Sequence, residues 1–285
     1  MAAPGAVHVE RVGAVGVITL DRPGRRNALD RAMWQALARA ADELAAQLPR
    51  AVVLTGAGDA FTAGMDVSPD NPMIAAVAAA LATGDVAPPR AMLAEIHAAL
   101  DRLFALPVPL IAAIGGLAYG GGAEIAARCD LRVVDPAAIV CFSEVRLGLM
   151  PDLAGGVALA RLLGPGRAAD LILTARKLGA DEALALGFAN RVSAPGAARA
   201  TAIALAEEIA ANGPRAVRAA LGILRRATDL PWPDAVAAEV ETAAQLIATG
   251  ECRHGITAVL GRATPRFEDR KSTRLNPVTL FHLVC

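Results

Sequence analysis

The run Gly120-Gly121-Gly122-Ala123-Glu124 sets three glycines and a carboxylate at the start of a helix-like segment. Glycine lets main chain approach a ligand closely, and the unpaired N–H groups of a helix start attract developing negative charge. A carboxylate there can move protons. It can also simply complement the helix dipole, and spacing alone favours that second role. Another glycine site, Ala63-Gly64-Met65-Asp66, follows a strand-like stretch and can present a further N–H. Taken singly it is an ordinary turn.

Several other chemistries lack their residues. The serines (Ser68, Ser143, Ser193, Ser272) never fall in GxSxG, so a hydrolase elbow is not expected. The glycines from Gly115 to Gly122 match neither GxGxxG nor a phosphate loop with its Lys-Ser/Thr. His8, His97, His254 and His282 are scattered, and no metal is expected. His97 and Tyr119 read as packing residues. Cys129, Cys141, Cys252 and Cys285 have no paired spacing, which argues against zinc or disulfides and favours a cytoplasmic location. Lys177 and Lys271 are the only lysines, leaving Schiff-base chemistry little room. Basic and acidic side chains balance at 28 each, so neither nucleic acid nor an anionic membrane is an expected partner.

The scaffold follows from size and pattern. A chain of 285 residues, 55% hydrophobic and 20% charged, suits one large folded body and excludes intrinsic disorder. Residues 7–12 and 15–20 read as a hairpin around Gly13. Asn27 is expected to cap a helix carrying Leu29, Met33, Leu37, Ala41, Leu44 and Leu48 at helical spacing. Strands are expected at 51–55, 110–114, 131–134 and 139–142, and helices at 73–82, 91–106, 123–128, 154–163 and 167–174. Alternation of this kind indicates an α/β fold with buried strands. Residues 103–123 carry no charge, but Pro107, Pro109 and the glycines interrupt them, as suits a buried strand and loop rather than a membrane span. From residue 196 onward the pattern is all helix, at 198–211, 214–226, 234–248 and 253–261. The expected organisation is an α/β core over 1–195, a helical region over 196–270, and a non-native or disordered tail over 271–285.

Read together, the motifs resemble the enoyl-CoA hydratase/isomerase (crotonase) superfamily from about residue 7 to 267. The resemblance rests on Leu20-Asp21-Arg22-Pro23 with Asn27-Ala28-Leu29, Leu54-Thr55-Gly56-Ala57-Gly58 through Phe61 to Asp66, and the run ending in Glu124. Phe142-Ser143-Glu144, Leu147-Gly148 and Gly155-Gly156 complete it. It implies a spiral of ββα repeats whose C-terminal helices assemble a homotrimer or dimer of trimers. It also implies an acyl-CoA thioester substrate, with coenzyme A as part of the substrate and no resident cofactor.

By position, the resemblance makes the N–H groups of Met65 and Gly121 an oxyanion hole, and Glu124 and Glu144 the paired carboxylates that activate water. It places Ala63, Met65, Asp66, Val67, Ser68 and Gly121 on the substrate, with Asp66 as a structural cap. Two positions depart from the usual pattern. Asp152 stands where hydratases of the family usually have glycine, which resembles its isomerases and hydroxyacyl-CoA hydrolases; Asp152 could equally cap the next helix. Ser68 stands where a phosphate-binding lysine is common, so Arg25 or Arg26 is the candidate for coenzyme A phosphates. The implied activity is enoyl-CoA hydration, with double-bond isomerisation through Asp152 as the alternative. Thioester hydrolysis and non-catalytic coenzyme A binding are further readings.

Overall fold

The computed structural model describes residues 5–267, so the expected tail at 271–285 lies outside the described residues. The chain begins with the antiparallel hairpin β1 (Ala6–Val12) and β2 (Val15–Asp21), followed by α1 (Arg31–Ala46), β3 (Ala51–Gly56) and β4 (Ala60–Thr62). Helices α2 (Ile74–Thr83) and α3 (Ala87–Phe104) precede β5 (Leu110–Ile114), β6 (Leu117–Tyr119) and α4 (Gly121–Arg128). Next come β7 (Leu131–Val134), β8 (Ile139–Cys141), α5 (Gly155–Leu163), α6 (Pro165–Thr174), β9 (Leu178–Gly179), α7 (Ala180–Leu186) and β10 (Arg191–Val192). Four helices close the described residues: α8 (Ala198–Ala210), α9 (Pro214–Arg226), α10 (Trp232–Ala248) and α11 (Glu251–Leu260).

From β3 to β8 the strands alternate between two sheets. One runs β1-β2-β3-β5-β7-β10 and the other β4-β6-β8-β9. Each of β3, β5 and β7 enters the first sheet, and the strand after it enters the second, so the chain winds as a spiral of ββα turns. Beyond the hairpin and the β8–β9 pair, all pairings are parallel.

Parallel strands covered on both faces read as continuous apolar runs. Along β3, Val52 and Leu54 point into the cluster built on α1, α3 and α4, while Ala51 and Val53 point toward α8 through Ala202 and Ala206. The two-residue period thus feeds two cores from one strand.

Two local expectations are corrected. Asp30, not Asn27, caps α1, accepting from the Met33 N–H at 2.9 Å. Asn27 is buried in a left-handed conformation (φ 56°), where its amide accepts from Arg22 N and donates to the carbonyls of Ala57 and Ala60. It staples the first turn to the β3–β4 loop. Helix α3 starts at Ala87 rather than 91, because Pro88 and Pro89 sit in a first turn where their missing N–H groups leave no bond unmade.

The uncharged stretch 103–123 divides into the end of α3, β5, β6 and the start of α4. Among the described residues, no helix is long and apolar enough to cross a membrane. Arg225 of α9 anchors the helical end, donating to both Asp130 carboxylate oxygens at 2.8 and 2.6 Å and to the Phe104 and Leu106 carbonyls. Beyond it, Trp232, Val240, Ile247, Val259 and Leu260 are exposed.

Candidate active site

The two glycine loops meet. Gly64 has a left-handed φ of 81°, and a Cβ there would fall 2.7 Å from Gly121 N and 2.8 Å from the Tyr119 carbonyl. A Cβ on Gly121 would lie 3.7 Å from Met65 N. Leu29 donates to the Gly64 carbonyl and accepts from Asp66 N, so a parallel bridge turns the Met65 N–H away from Leu29. Gly121 is the first residue of α4, where an N–H has no partner within the helix. Both residues are half-buried, and neither N–H has an acceptor among the described residues.

Asp66 holds the first loop. Its carboxylate takes Arg22 Nη1 at 2.7 Å and Ser68 N at 2.9 Å, and its carbonyl accepts from Asn71. Burial opposes its ionisation, but the Ser68 bonds and the Arg22 guanidinium hold the carboxyl below the usual carboxylate range. Ala63 donates its N–H to the Arg26 carbonyl, which ties the arginine turn to the same loop. The side chains of Arg25, Arg26 and Val67 are exposed, and neither arginine makes an ion pair with a described residue.

On the other side of the glycine run, Glu124 is 1% exposed and held by three main-chain donors. Asp152 N reaches Oε1 at 3.2 Å; Leu153 N and Gly155 N reach Oε2 at 2.9 Å each. Glu144 is also buried, and neither of its carboxyl oxygens makes a close hydrogen bond with a described residue, although its own N–H and the Glu124 carboxyl lie near enough to favour its ionised form. A Cβ on Gly120 would lie 3.6 Å from Glu144 Oε1, which sets that carboxyl over the start of α4. Burial, then the charge of Glu144, push Glu124 up to about 8 against the pull of the Leu153 and Gly155 amides. Burial raises Glu144 and Asp152 as well, and His97 moderates the rise at Asp152. Carboxyls coupled in this way take up protons as a set rather than singly.

The structure therefore brings Glu124, Glu144 and Asp152 into one electrostatic neighbourhood beside the free amides of Met65 and Gly121. Arg25, Arg26 and Val67 lie on the surface flanking the first loop. Asp152 is no helix cap: α5 starts after Ala154 (φ 65°) without a side-chain cap. The reading of His97 as a packing residue is also corrected, since its Nε2 bonds the Asp152 carbonyl at 2.8 Å. No local signal foretells that contact, which spans 55 positions. Arg128 was missed in the same way; it donates to the Leu153 carbonyl at 3.0 Å. Among the described residues, no three His, Cys, Asp or Glu side chains are grouped as metal ligands.

Residues 10–270 match the family model described as enoyl-CoA hydratase/isomerase. The chain is 34% identical over 256 residues to the short-chain-enoyl-CoA hydratase of Clostridium acetobutylicum, covering 89% of this chain and 94% of that one. It is 33% identical over 263 residues to the enoyl-CoA hydratase EchA19 of Mycobacterium tuberculosis, covering 92% and 96%. A solved structure of an enoyl-CoA hydratase from Bacillus anthracis superposes with a TM-score of 0.82 at 30% identity, covering 93% of this chain and 99% of that one.

Proposed function

The chain belongs to the enoyl-CoA hydratase/isomerase family, and on that premise we propose that it is a lyase adding water to trans-2-enoyl-CoA to give 3-hydroxyacyl-CoA. The observation that carries this reading is the contrast between two buried carboxyls. Glu124 is held by three main-chain donors, whereas the Glu144 carboxyl, bordered by Glu124 and its own N–H, has no close hydrogen bond from a described residue and can take a non-protein partner. A buried carboxyl without a donor is unfavourable unless something else satisfies it.

In this mechanism the thioester carbonyl oxygen accepts from the N–H groups of Met65 and Gly121. As the water oxygen bonds to C3, the C2–C3 π electrons move toward C1 and the carbonyl oxygen becomes an enolate oxyanion. Each main-chain donor aimed at that oxygen is worth about 3–4 kcal/mol in the transition state. The proton leaving water passes to one carboxylate of the Glu124–Glu144 pair. The pair returns a proton to C2 as the enolate collapses, so the enzyme ends unchanged. Burial raises both carboxyls and their like charges resist joint ionisation, which suits a pair that holds one proton between them, one member acting as acid and the other as base.

The loop of Ala63, Met65, Asp66, Val67 and Ser68 lines the acyl-thioester side together with Gly121, and Asp66 keeps that loop in place. Arg25 or Arg26 meets the coenzyme A phosphates, for which a guanidinium fork is well shaped. The second reading is double-bond isomerisation with Asp152 as an extra acid/base, favoured by its raised pKa beside the other two carboxyls. The exposed apolar residues of α10 and α11 support assembly of the chain into a homotrimer or dimer of trimers. The test is an activity screen over enoyl-, dienoyl- and hydroxyacyl-CoA thioesters with product identification. Hydration of crotonyl-CoA or a longer enoyl-CoA supports the reading; coenzyme A binding without turnover overturns it.

A further inference from the structure

The Asp152–Leu153 peptide has two partners at its opposite ends. Its carbonyl oxygen accepts from His97 Nε2 at 2.8 Å, and its N–H, carried by Leu153, donates to Glu124 Oε2 at 2.9 Å. A carbonyl oxygen cannot donate, so Nε2 bears the proton in this contact. From this geometry we infer that His97 is a positioning residue for Glu124, acting through that single peptide group.

Two physical effects follow from one bond. A donor on the carbonyl polarises the amide and strengthens donation by its N–H, as in other hydrogen-bonded chains. It also pins the peptide plane, and with it the direction from which Leu153 N–H meets Glu124. The next peptide is held too, because Arg128 Nη1 donates to the Leu153 carbonyl at 3.0 Å. Gly155 N–H then supplies the second bond to the same carboxyl oxygen. The loop from Asp152 to Gly155 is thus fastened from α3 by His97 and from α4 by Arg128, with Glu124 gripped between.

The side chain of His97 is half-buried on α3 and meets the Asp152 carbonyl. The charged groups that bear on Glu124 are Glu144, Asp152 and, from its own helix, Arg128. His97 itself bears on the Asp152 carboxyl of the facing loop, moderating its rise.

The inference concerns how Glu124 is held, and it rests on the proposed function only for its kinetic readout. The deciding experiment therefore includes a measurement without substrate. In the full chain, His97→Leu, Glu124→Gln and the double variant are unfolded by denaturant and compared with the unsubstituted protein. Independent sites multiply their effects on the unfolding equilibrium constant, whereas members of one network do not. A departure from multiplication of roughly fivefold or more is expected. His97→Asn, too short to reach the carbonyl, replaces His97→Leu if the latter does not fold.

Kinetics supply the second arm, with His97→Gln as the conservative variant that restores an N–H donor. His97→Leu is expected to lose roughly tenfold in kcat with little change in KM, while His97→Gln stays within about twofold. The acid limb of the kcat/KM profile moves to higher pH in His97→Leu, because an ionised Glu124 loses support. Multiplicative unfolding effects overturn the inference whatever the activity. Equal kinetics and pH profiles in His97→Leu and the unsubstituted enzyme also overturn it. If the cycle is coupled but no hydration occurs, the positioning role stands and the proposed reaction falls.

Discussion

Gly155 donates its N–H to Glu124 Oε2 at 2.9 Å, and its Cα sits so close that an added Cβ would fall 2.2 Å from both Cα and Cβ of the glutamate. One glycine thus provides both a hydrogen bond and the room for Glu124 to stand where it does. Gly155→Ala is expected to push the glutamate or α5 aside. Overpacking of this kind costs about 1–3 kcal/mol of stability, and displaced geometry lowers kcat/KM roughly a hundredfold. Denaturant unfolding and steady-state hydration of an enoyl-CoA check both effects; a variant with unchanged kcat/KM would show that Glu124 does not need this seat.

Glu124→Gln and Glu144→Gln each remove one member of the carboxyl pair while keeping size and shape. Positioned acid–base groups contribute about 10²–10⁴-fold, so each variant is expected to lose at least a hundredfold in kcat. Circular dichroism is expected to match the unsubstituted protein. Full turnover in either variant sinks the two-carboxylate mechanism.

Asp152→Asn separates the two reactions open to this site. Its main-chain bonds to Glu124 and His97 survive the change, and only the third carboxyl is lost. Hydration is expected to stay within about threefold, and any isomerisation to fall at least a hundredfold. Product analysis by chromatography of the acyl-CoA mixture distinguishes the outcomes; a collapse of hydration would move Asp152 into the hydratase mechanism.

Stability carries the signature of the raised carboxyl. Glu124 is pushed from its ordinary 4.5 up to about 8 in the folded protein, first by burial and then by Glu144. Between those values the native state binds more protons than the unfolded state, so stability falls as pH rises through that window. Glu124→Gln does not titrate and escapes that fall, which amounts to a few kcal/mol at most, about 1.4 per pKa unit. Melting temperatures across that pH range are expected to converge at the acid end and to favour the variant at the alkaline end. Parallel curves would mean that Glu124 titrates normally.

Light scattering tests the assembly. Residues Trp232, Val240, Ile247, Val259 and Leu260 expose large apolar side chains on α10 and α11, more than a solitary chain usually leaves in water. A species near three or six times the 29.1 kDa chain mass is expected. A single peak at the mass of one chain would contradict it.

Much of this molecule was readable along the chain. The alternation of apolar strands and amphipathic helices pointed to an α/β body. The segments at 110–114, 131–134 and 214–226 fall where their residues imply, because β-branched runs and 3.6-residue periods are local signals. The glycine run before Glu124 and the Ala63–Asp66 turn were legible for the same reason. The strands Ala60–Thr62, Leu117–Tyr119 and Arg191–Val192 are too short to show a period, and they emerge only from pairing with distant partners. Helix Ala180–Leu186 was likewise missed.

The site itself was decided in three dimensions. No spacing rule says that Glu124 receives the amides of residues 152, 153 and 155, that Glu144 is buried with none, or that His97 grips the far side of the same peptide. These contacts join residues 28 to 55 positions apart, and the close passage of main chain at Gly155 admits Glu124 beside its donors. The residue types therefore determined which groups are able to move a proton or bind an oxyanion. The winding of the spiral alone determined which of them share a low-dielectric space, and shared burial is what couples their charges.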